Sequence, residues 1–162
     1  MLAVDGPSGA GKTTLARAIA RGLAGAGHRA RVLSLDLMYD GWAGLTPELE
    51  RRVCSQVLEP LSRDEVARWR SYDWAVGCFG EWRELPPGDV LVLEGCDAGA
   101  RIFAPYTTVL VWVEAATDVR ARRAVERDGP AVLDHWVGWA AAERRVFARN
   151  GTRSRADVRL RT

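Results

Sequence analysis

The sequence predicts an α/β fold: a five-stranded, mostly parallel sheet with helices on both faces. Three observations carry that prediction. Short, nearly continuous apolar runs recur along the chain, and several end in a carboxylate. Runs of this kind belong to strands buried on both faces. Segments with helical periodicity separate them, and a glycine-rich loop joins the first run to the first helix. At 162 residues the chain suits one domain with a sizeable core, expected to span residues 1–162.

Taken in order, Leu2, Ala3, Val4 and Asp5 form the first strand. In residues 14–23, Leu15, Ile19 and Leu23 stand at i, i+4 and i+8, one apolar stripe of a helix. Residues 30–36 read as a second strand ending at Asp36. Thr46, Pro47, Glu48 and Glu50 open a helix, with a capping hydroxyl, a proline in the first turn and acids after it. Residues 63–70 are expected to form another short helix, and Pro86-Pro87-Gly88 a turn. Residues 89–94 and 107–113 are the third and fourth strands. Residues 117–127 and 135–149 are helical, and residues 156–160 form the last strand. In such sheets ligands bind at the carboxyl ends of the strands, where Gly6, Asp36 and Glu94 fall.

Composition excludes several classes. Apolar residues make up 48% and charged residues 27%, as in ordinary globular proteins. A net charge of +2 with scattered arginines argues against a nucleic-acid partner. No apolar run reaches membrane-spanning length, so no membrane partner is expected. Cys54, Cys78 and Cys96 lack metal-site or disulfide spacing, which points to a reducing, cytoplasmic location. The first strand begins almost at Met1, so no targeting segment is expected ahead of it. A homo-oligomer is left open.

One motif carries the chemistry. Gly6-Pro7-Ser8-Gly9-Ala10-Gly11-Lys12-Thr13 matches G-x-x-x-x-G-K-[ST], the phosphate-cradling P-loop, between a strand and a helix. Lys12 is the only lysine; the other 22 basic residues are arginine. A compact ammonium is thus kept where a wide guanidinium fork does not serve. The three-layer P-loop NTPase fold follows. ATP and Mg²⁺ are the implied cofactors. Gly6, Ser8, Gly9, Ala10, Gly11, Lys12, Thr13 and Thr14 would bind phosphates, and Thr13 with Glu94 (through water) would hold the metal.

Other residues suit a phosphoryl acceptor. Asp36 is placed to orient a hydroxyl and accept its proton, and Asp40 follows nearby. Arg120, Arg123 and Arg127 share one helix face and could stabilise transferred charge; Glu126 and Asp128 could instead neutralise them on a solvated helix. Tyr72, Asp73 and Trp74 suit a sugar or base, or else a packing cluster with Trp69 and Trp82. His135 reads as structural or lid-associated.

Together these segments resemble the uridine kinase-like branch of the P-loop nucleoside and nucleotide kinases, over nearly the whole chain. Asp36-Leu37-Met38-Tyr39 is similar to the family's Asp-x-[Phe/Leu]-Tyr, Tyr72-Asp73-Trp74 to its Tyr-Asp-Phe, and Glu94-Gly95 to its Glu-Gly. Residues 118–128 resemble its arginine-rich lid helix. Tyr39-Asp40-Gly41-Trp42 and Phe79-Gly80-Glu81-Trp82 resemble a compact actinobacterial subgroup. The resemblance implies Asp36 as general base and Tyr39, Tyr72, Asp73 and Trp74 beside the acceptor. It also implies Arg153 beside the donor base, an acceptor-binding insertion at about 37–87 and a short lid at about 120–135. Gly77, Cys78 and Phe79 stand where the uridine kinases carry a nucleoside-holding His and Arg, Leu37 where many relatives have a second acid, and Ala43 where the subgroup often has one. The donor machinery is therefore intact and the acceptor site altered. The reading is an ATP-dependent kinase acting on a hydroxyl of a small-molecule acceptor, a nucleoside or nucleoside-like metabolite first. The alternatives are a nucleoside monophosphate kinase, a sugar or antibiotic-intermediate kinase, or a non-catalytic ATP-binding regulator.

Overall fold

Leu2, Ala3 and Val4 carry nothing polar, and the strand they form lies in the middle of the molecule. A computed structural model describes residues 1–162. In chain order it holds β1 (Leu2–Asp5), α1 (Lys12–Gly25), β2 (Ala30–Ser34), α2 (Pro47–Val53) and α3 (Glu59–Ser62). Then come β3 (Ala67–Asp73), β4 (Cys78–Leu85), β5 (Val90–Glu94), β6 (Val109–Glu114) and α4 (Thr117–Asp128). The chain closes with α5 (Leu133–Asn150), α6 (Thr152–Arg155) and β7 (Val158–Arg161). Five strands form one sheet in the order β2-β5-β1-β6-β7, and every pairing is parallel.

Because side chains alternate across a strand, each strand feeds two cores. Val4, Val92, Val111 and Val113 pack with Ala16 of α1 on one face. Leu33 and Leu93 face the other way, with Met38, Tyr39, Trp139 and Val146. The expected three layers result. No helix is long and apolar enough to cross a membrane.

Two expectations need correction. Residues 63–70 do not form a helix. Ala67 and Trp69 are buried while Arg68 and Arg70 are exposed, a two-residue period that belongs to a strand. They open β3, which pairs antiparallel with β4 as a separate two-stranded hairpin. The second strand also stops two residues early. The Ser34 hydroxyl accepts from the Asp36 N–H at 3.4 Å, and residues Leu35–Leu37 turn as a 3₁₀ helix. That turn lifts Asp36 off the sheet and exposes it.

A buried carboxylate knot ties the strand ends. Asp5, fully buried, accepts from the N–H groups of Gly6 (2.7 Å), Asp97 (2.9 Å) and Gly99 (2.9 Å). Burial pushes its carboxyl up to about 6 against those donors and Lys12. Asp97 is buried too, with its backbone in the left-handed region at φ 77°. Asn150 Nδ2 donates to its Oδ1 at 2.7 Å, while Oδ2 has no hydrogen-bond donor. Burial, then the charge of Asp5, then Glu50 raise Asp97 to about 8, and Arg149 Nη2 lies 3.7 Å from its Oδ2. Glu50 also accepts from Arg149. This junction joins α2, the end of β5 and the end of α5.

The folded chain thus keeps a proton on Asp97 that an unfolded aspartate, near 3.8, has lost. Stability from this site falls as pH rises from about 4 through about 8. Asp97→Asn, neutral throughout, is expected to flatten the dependence of Tm on pH between about 5 and 8. Thermal denaturation across that range checks it; an unchanged slope would place the proton elsewhere.

Candidate active site

The loop between β1 and α1 is shaped by two glycines. At Gly6 (φ +143°) a Cβ would lie 2.0 Å from the Val113 carbonyl oxygen, and at Gly9 (φ +77°) 2.4 Å from that of Arg120. Neither position accepts a side chain. The loop hands over to α1 at Gly11, with no side chain capping the helix. No hydrogen bond within the protein uses the N–H groups of Gly9, Gly11, Lys12, Thr13 and Thr14. Five free donors at the positive end of a 14-residue helix are the complement of a phosphate chain. The site therefore fits the phosphates of a nucleotide on its own geometry.

Glu143 of α5, buried, braces this loop from beneath. Its Oε1 accepts from the Ser8 N–H (2.6 Å), the Trp139 indole N–H (2.8 Å) and the Cys96 thiol (3.2 Å). Its Oε2 lies 3.9 Å from Arg120 Nη1. Lys12 folds back into the same pocket: Nζ donates to the Pro7 carbonyl at 3.1 Å and approaches Cys96 Sγ at 3.5 Å. Burial opposes its charge, but Cys96, Glu143, Asp36 and Glu94 outweigh that and hold the ammonium above its usual value. Burial pushes the Cys96 thiol well up, so it stays protonated and serves as a donor.

Thr13 Oγ1 donates to Glu94 Oε1 at 3.0 Å, joining the two residues expected to hold a metal. Burial, partly offset by a hydrogen bond to Ser34, raises the Glu94 carboxyl, and the charge of Asp36 raises it further. A dication between the carboxylates would relieve both effects. Asp36 uses only its backbone: its N–H meets Ser34 and its carbonyl accepts from the Trp74 indole at 2.8 Å. The carboxylate is left free.

The three arginines of α4 separate. Arg120 Nη1 donates to the Ser8 carbonyl (3.1 Å), and Arg123 Nη1 to that of Gly9 (3.3 Å). Arg123 also meets the Thr162 hydroxyl at 2.8 Å, which in turn donates to the Ala10 carbonyl. Arg127 is turned to its neighbour Asp128 in a two-pronged pair. Two of the three therefore grip the loop, and the third does not.

On the acceptor side, Tyr39 is buried and its hydroxyl donates to the Cys96 carbonyl at 2.9 Å, so it anchors the wall from the core and is not a ligand contact. Asp73 is exposed, and its Oδ1 accepts from the N–H groups of Ala75 and Val76 and shapes the hairpin turn. Asp40 is exposed. Tyr72 and Trp74 do form an aromatic cluster, but with Trp42 and Phe79. Trp69 is buried beneath the hairpin, and Trp82 is 65% exposed. His135 stacks on Trp42 at 4.6 Å, which places the start of α5 against the acceptor wall. Arg153 clasps Glu114 with both prongs, at 2.8 and 3.2 Å. It borders a cleft of about 370 Å³ that no residue of the phosphate loop lines.

The loop, the parallel sheet and the paired Thr13 and Glu94 define a P-loop site of the kind that cradles the phosphates of a nucleotide. No family model matches the chain. It is 35% identical over 134 residues to a cytidylate kinase from Pyrobaculum aerophilum, covering 83% of this chain and 64% of that one. The chain thus spans a little under two thirds of that relative's length. A structure described as a possible uridine kinase from Bacillus stearothermophilus superposes with a TM-score of 0.72 at 19% identity, over 98% of this chain and 86% of that one. D-glycerate 3-kinase from Cryptococcus neoformans superposes with a TM-score of 0.55 at 15% identity, over 90% and 77%. The chain has the fold of these P-loop kinase structures and is similar over most of its length to the cytidylate kinase sequence.

Glu143, Asp97, Asp5 and Cys96 were not among the residues singled out by motif. Glu143 did leave a signal. It lies on one helical stripe with Trp139, Val146 and Asn150, an acid on the buried face of α5. Glu143→Gln would turn an amide N–H toward Arg120 or Cys96, both donors. The expected result is a folded protein whose affinity for an ATP analogue falls about tenfold. Fluorescence titration measures it, and an unchanged affinity would remove Glu143 from the site.

Proposed function

We propose that the chain is an ATP-dependent kinase that transfers the γ-phosphoryl group to a hydroxyl of a small molecule of nucleoside-like size. One observation carries the reading. Ser34 stands opposite Glu94 in the sheet and Glu94 accepts from Thr13 of the phosphate loop, so the unpaired carboxylate of Asp36, two residues beyond Ser34, lies at the same strand ends as the loop. A proton acceptor and a phosphate cradle thus face one space.

The free N–H groups of Gly9, Gly11, Lys12, Thr13 and Thr14 would bind the triphosphate, with Gly6, Ser8 and Ala10 shaping the loop. Lys12 would swing from Pro7 and Cys96 toward the β- and γ-phosphates. Thr13 and, through water, Glu94 would hold Mg²⁺. When bound, MgATP supplies the phosphoryl group and a leaving ADP. Asp36 orients the acceptor hydroxyl and takes its proton as the oxygen–phosphorus bond forms and the bond to ADP breaks. Arg120 and Arg123, already on the loop carbonyls, would shift their remaining N–H groups toward the transferred charge. Tyr72 and Trp74 would flank the acceptor, and Asp40 lines its exposed entrance. Arg153 and Arg127, held by Glu114 and Asp128, would have to exchange those partners to join the site. Residues 37–87 form the acceptor side, and the start of α5, carried by α4, closes over it through His135 and Trp42.

A second reading has a specific basis. The relative from Pyrobaculum aerophilum bears the name of a kinase with a phosphate acceptor, so a nucleoside monophosphate is the competing acceptor class. A protein that binds nucleotide only as a regulator has no need of a free carboxylate facing the loop.

Asp36→Asn separates these readings. Acceptor phosphorylation is expected to fall by about 10²- to 10⁴-fold, with ATP affinity nearly unchanged. Turnover that survives within about tenfold would remove Asp36 as the base.

A further inference from the structure

The acceptor side carries five arginines between residues 51 and 70, and their contacts sort them. Arg51 pairs with Glu48, Arg63 with Glu65 and Arg68 with Glu84. Arg52 and Arg70 pair with no carboxylate, and both converge on Phe79. The Arg52 guanidinium lies 4.8 Å from the centre of the Phe79 ring and donates from Nη2 to the Met38 carbonyl at 2.7 Å. A bulge in β3 between Arg70 and Tyr72 lets Arg70 reach across the hairpin. Its Nη2 donates to the Phe79 carbonyl at 2.7 Å and its Nε to that of Gly80 at 2.9 Å. Nε and Nη1 of Arg52 and Nη1 of Arg70 have no acceptor in the protein. Both cations thus keep N–H donors that an anion beside Phe79 could use.

Phe79 is connected to the proposed base. Its ring meets Tyr72 edge-on at 5.3 Å, Tyr72 meets Trp74 at 5.3 Å, and the Trp74 indole holds the Asp36 carbonyl. Arg52 closes the circuit through Met38, two residues beyond Asp36. The Tyr72 hydroxyl, between the two ends, makes no hydrogen bond in the protein. A Cβ at Gly41 would lie 2.9 Å from it, so Gly41 keeps that space clear. One wall thus carries cations at one end, a neutral hydroxyl in the middle and a free carboxylate at the other. Asp73 and Asp40 lie between these ends and neither pairs with an arginine; Asp73 Oδ1 accepts from two N–H groups of its turn.

We infer that the acceptor carries an anionic group, a phosphate ester or a carboxylate, held by Arg52 and Arg70 around Phe79 while its hydroxyl meets Asp36. The inference rests on the kinase reading above for the hydroxyl and on the arginine contacts for the anion. A neutral nucleoside or sugar offers neither guanidinium group an opposite charge.

The test offers MgATP and matched acceptors to the full chain: cytidine against cytidine 5′-monophosphate, fructose against fructose 6-phosphate, and glycerate as the carboxylate arm. Charged members are expected to have a KM about 10- to 100-fold below their neutral partners. R52Q and R70Q are expected to raise KM for the charged members by most of that factor with kcat little changed, and R52K to restore part of it. Whichever arm responds, phosphate ester or carboxylate, names the anion. Calorimetry with cytidine 5′-monophosphate, without ATP, separates the two claims. If nothing is phosphorylated but binding still requires Arg52 and Arg70, the anion subsite stands and the kinase reading falls. If neutral acceptors are used as well as charged ones and neither substitution changes KM or binding, the subsite is wrong and the kinase reading stands. Transfer onto the phosphate itself, giving a diphosphate, would overturn the anion as an anchor.

Discussion

The buried carboxylate of Glu143 is the constraint on which the rest of the site depends. It takes the Ser8 N–H, the Trp139 indole and the Cys96 thiol, and it lies beside Arg120. A buried carboxylate is costly unless its oxygens are satisfied, and here neighbours from the phosphate loop, α4, α5 and the end of β5 satisfy them. The phosphate loop is therefore held in shape by the protein itself. Its unspent N–H groups are pre-aimed, and a ligand need not order them.

The same residue joins the two halves of the cleft. Trp139, which donates to Glu143, meets Tyr39 edge-on at 5.2 Å and Trp42 at 5.7 Å. Trp42 stacks on His135 and touches Trp74, whose indole holds the Asp36 carbonyl. Contacts therefore run unbroken from the phosphate loop to the proposed base. Opposite this network, Asp5 and Asp97 pin the strand ends from which both halves extend.

The donor half of this arrangement was legible in the sequence because it is local. Gly6 to Thr13 is one contiguous motif between a strand and a helix, and the apolar runs of β1, β5 and β6 mark a parallel sheet. The hairpin was not legible. Ala67, Arg68, Trp69 and Arg70 alternate over too few residues to separate a strand from a short helix, and arginine-rich composition favours the helix. The α4 arginines share a helical spacing, yet periodicity says nothing about which carbonyl or carboxylate each meets, and Arg127 turns to Asp128. Tyr39 and Asp73 matched a pattern whose residues were expected beside a ligand; burial took the first and turn geometry the second. Glu143 lies 135 residues from its partner Ser8, a contact that no local reading reveals.

The central claim is that the free donors of the phosphate loop and the free carboxylate of Asp36 face one reaction space. Acceptor-dependent release of ADP from MgATP, measured on the purified chain across nucleosides, nucleoside monophosphates, sugars and hydroxy acids, tests it most directly. The account predicts that at least one class accelerates ADP release well above the rate with water alone and gains a phosphate on its hydroxyl. ATP binding with slow hydrolysis that no acceptor accelerates would contradict it.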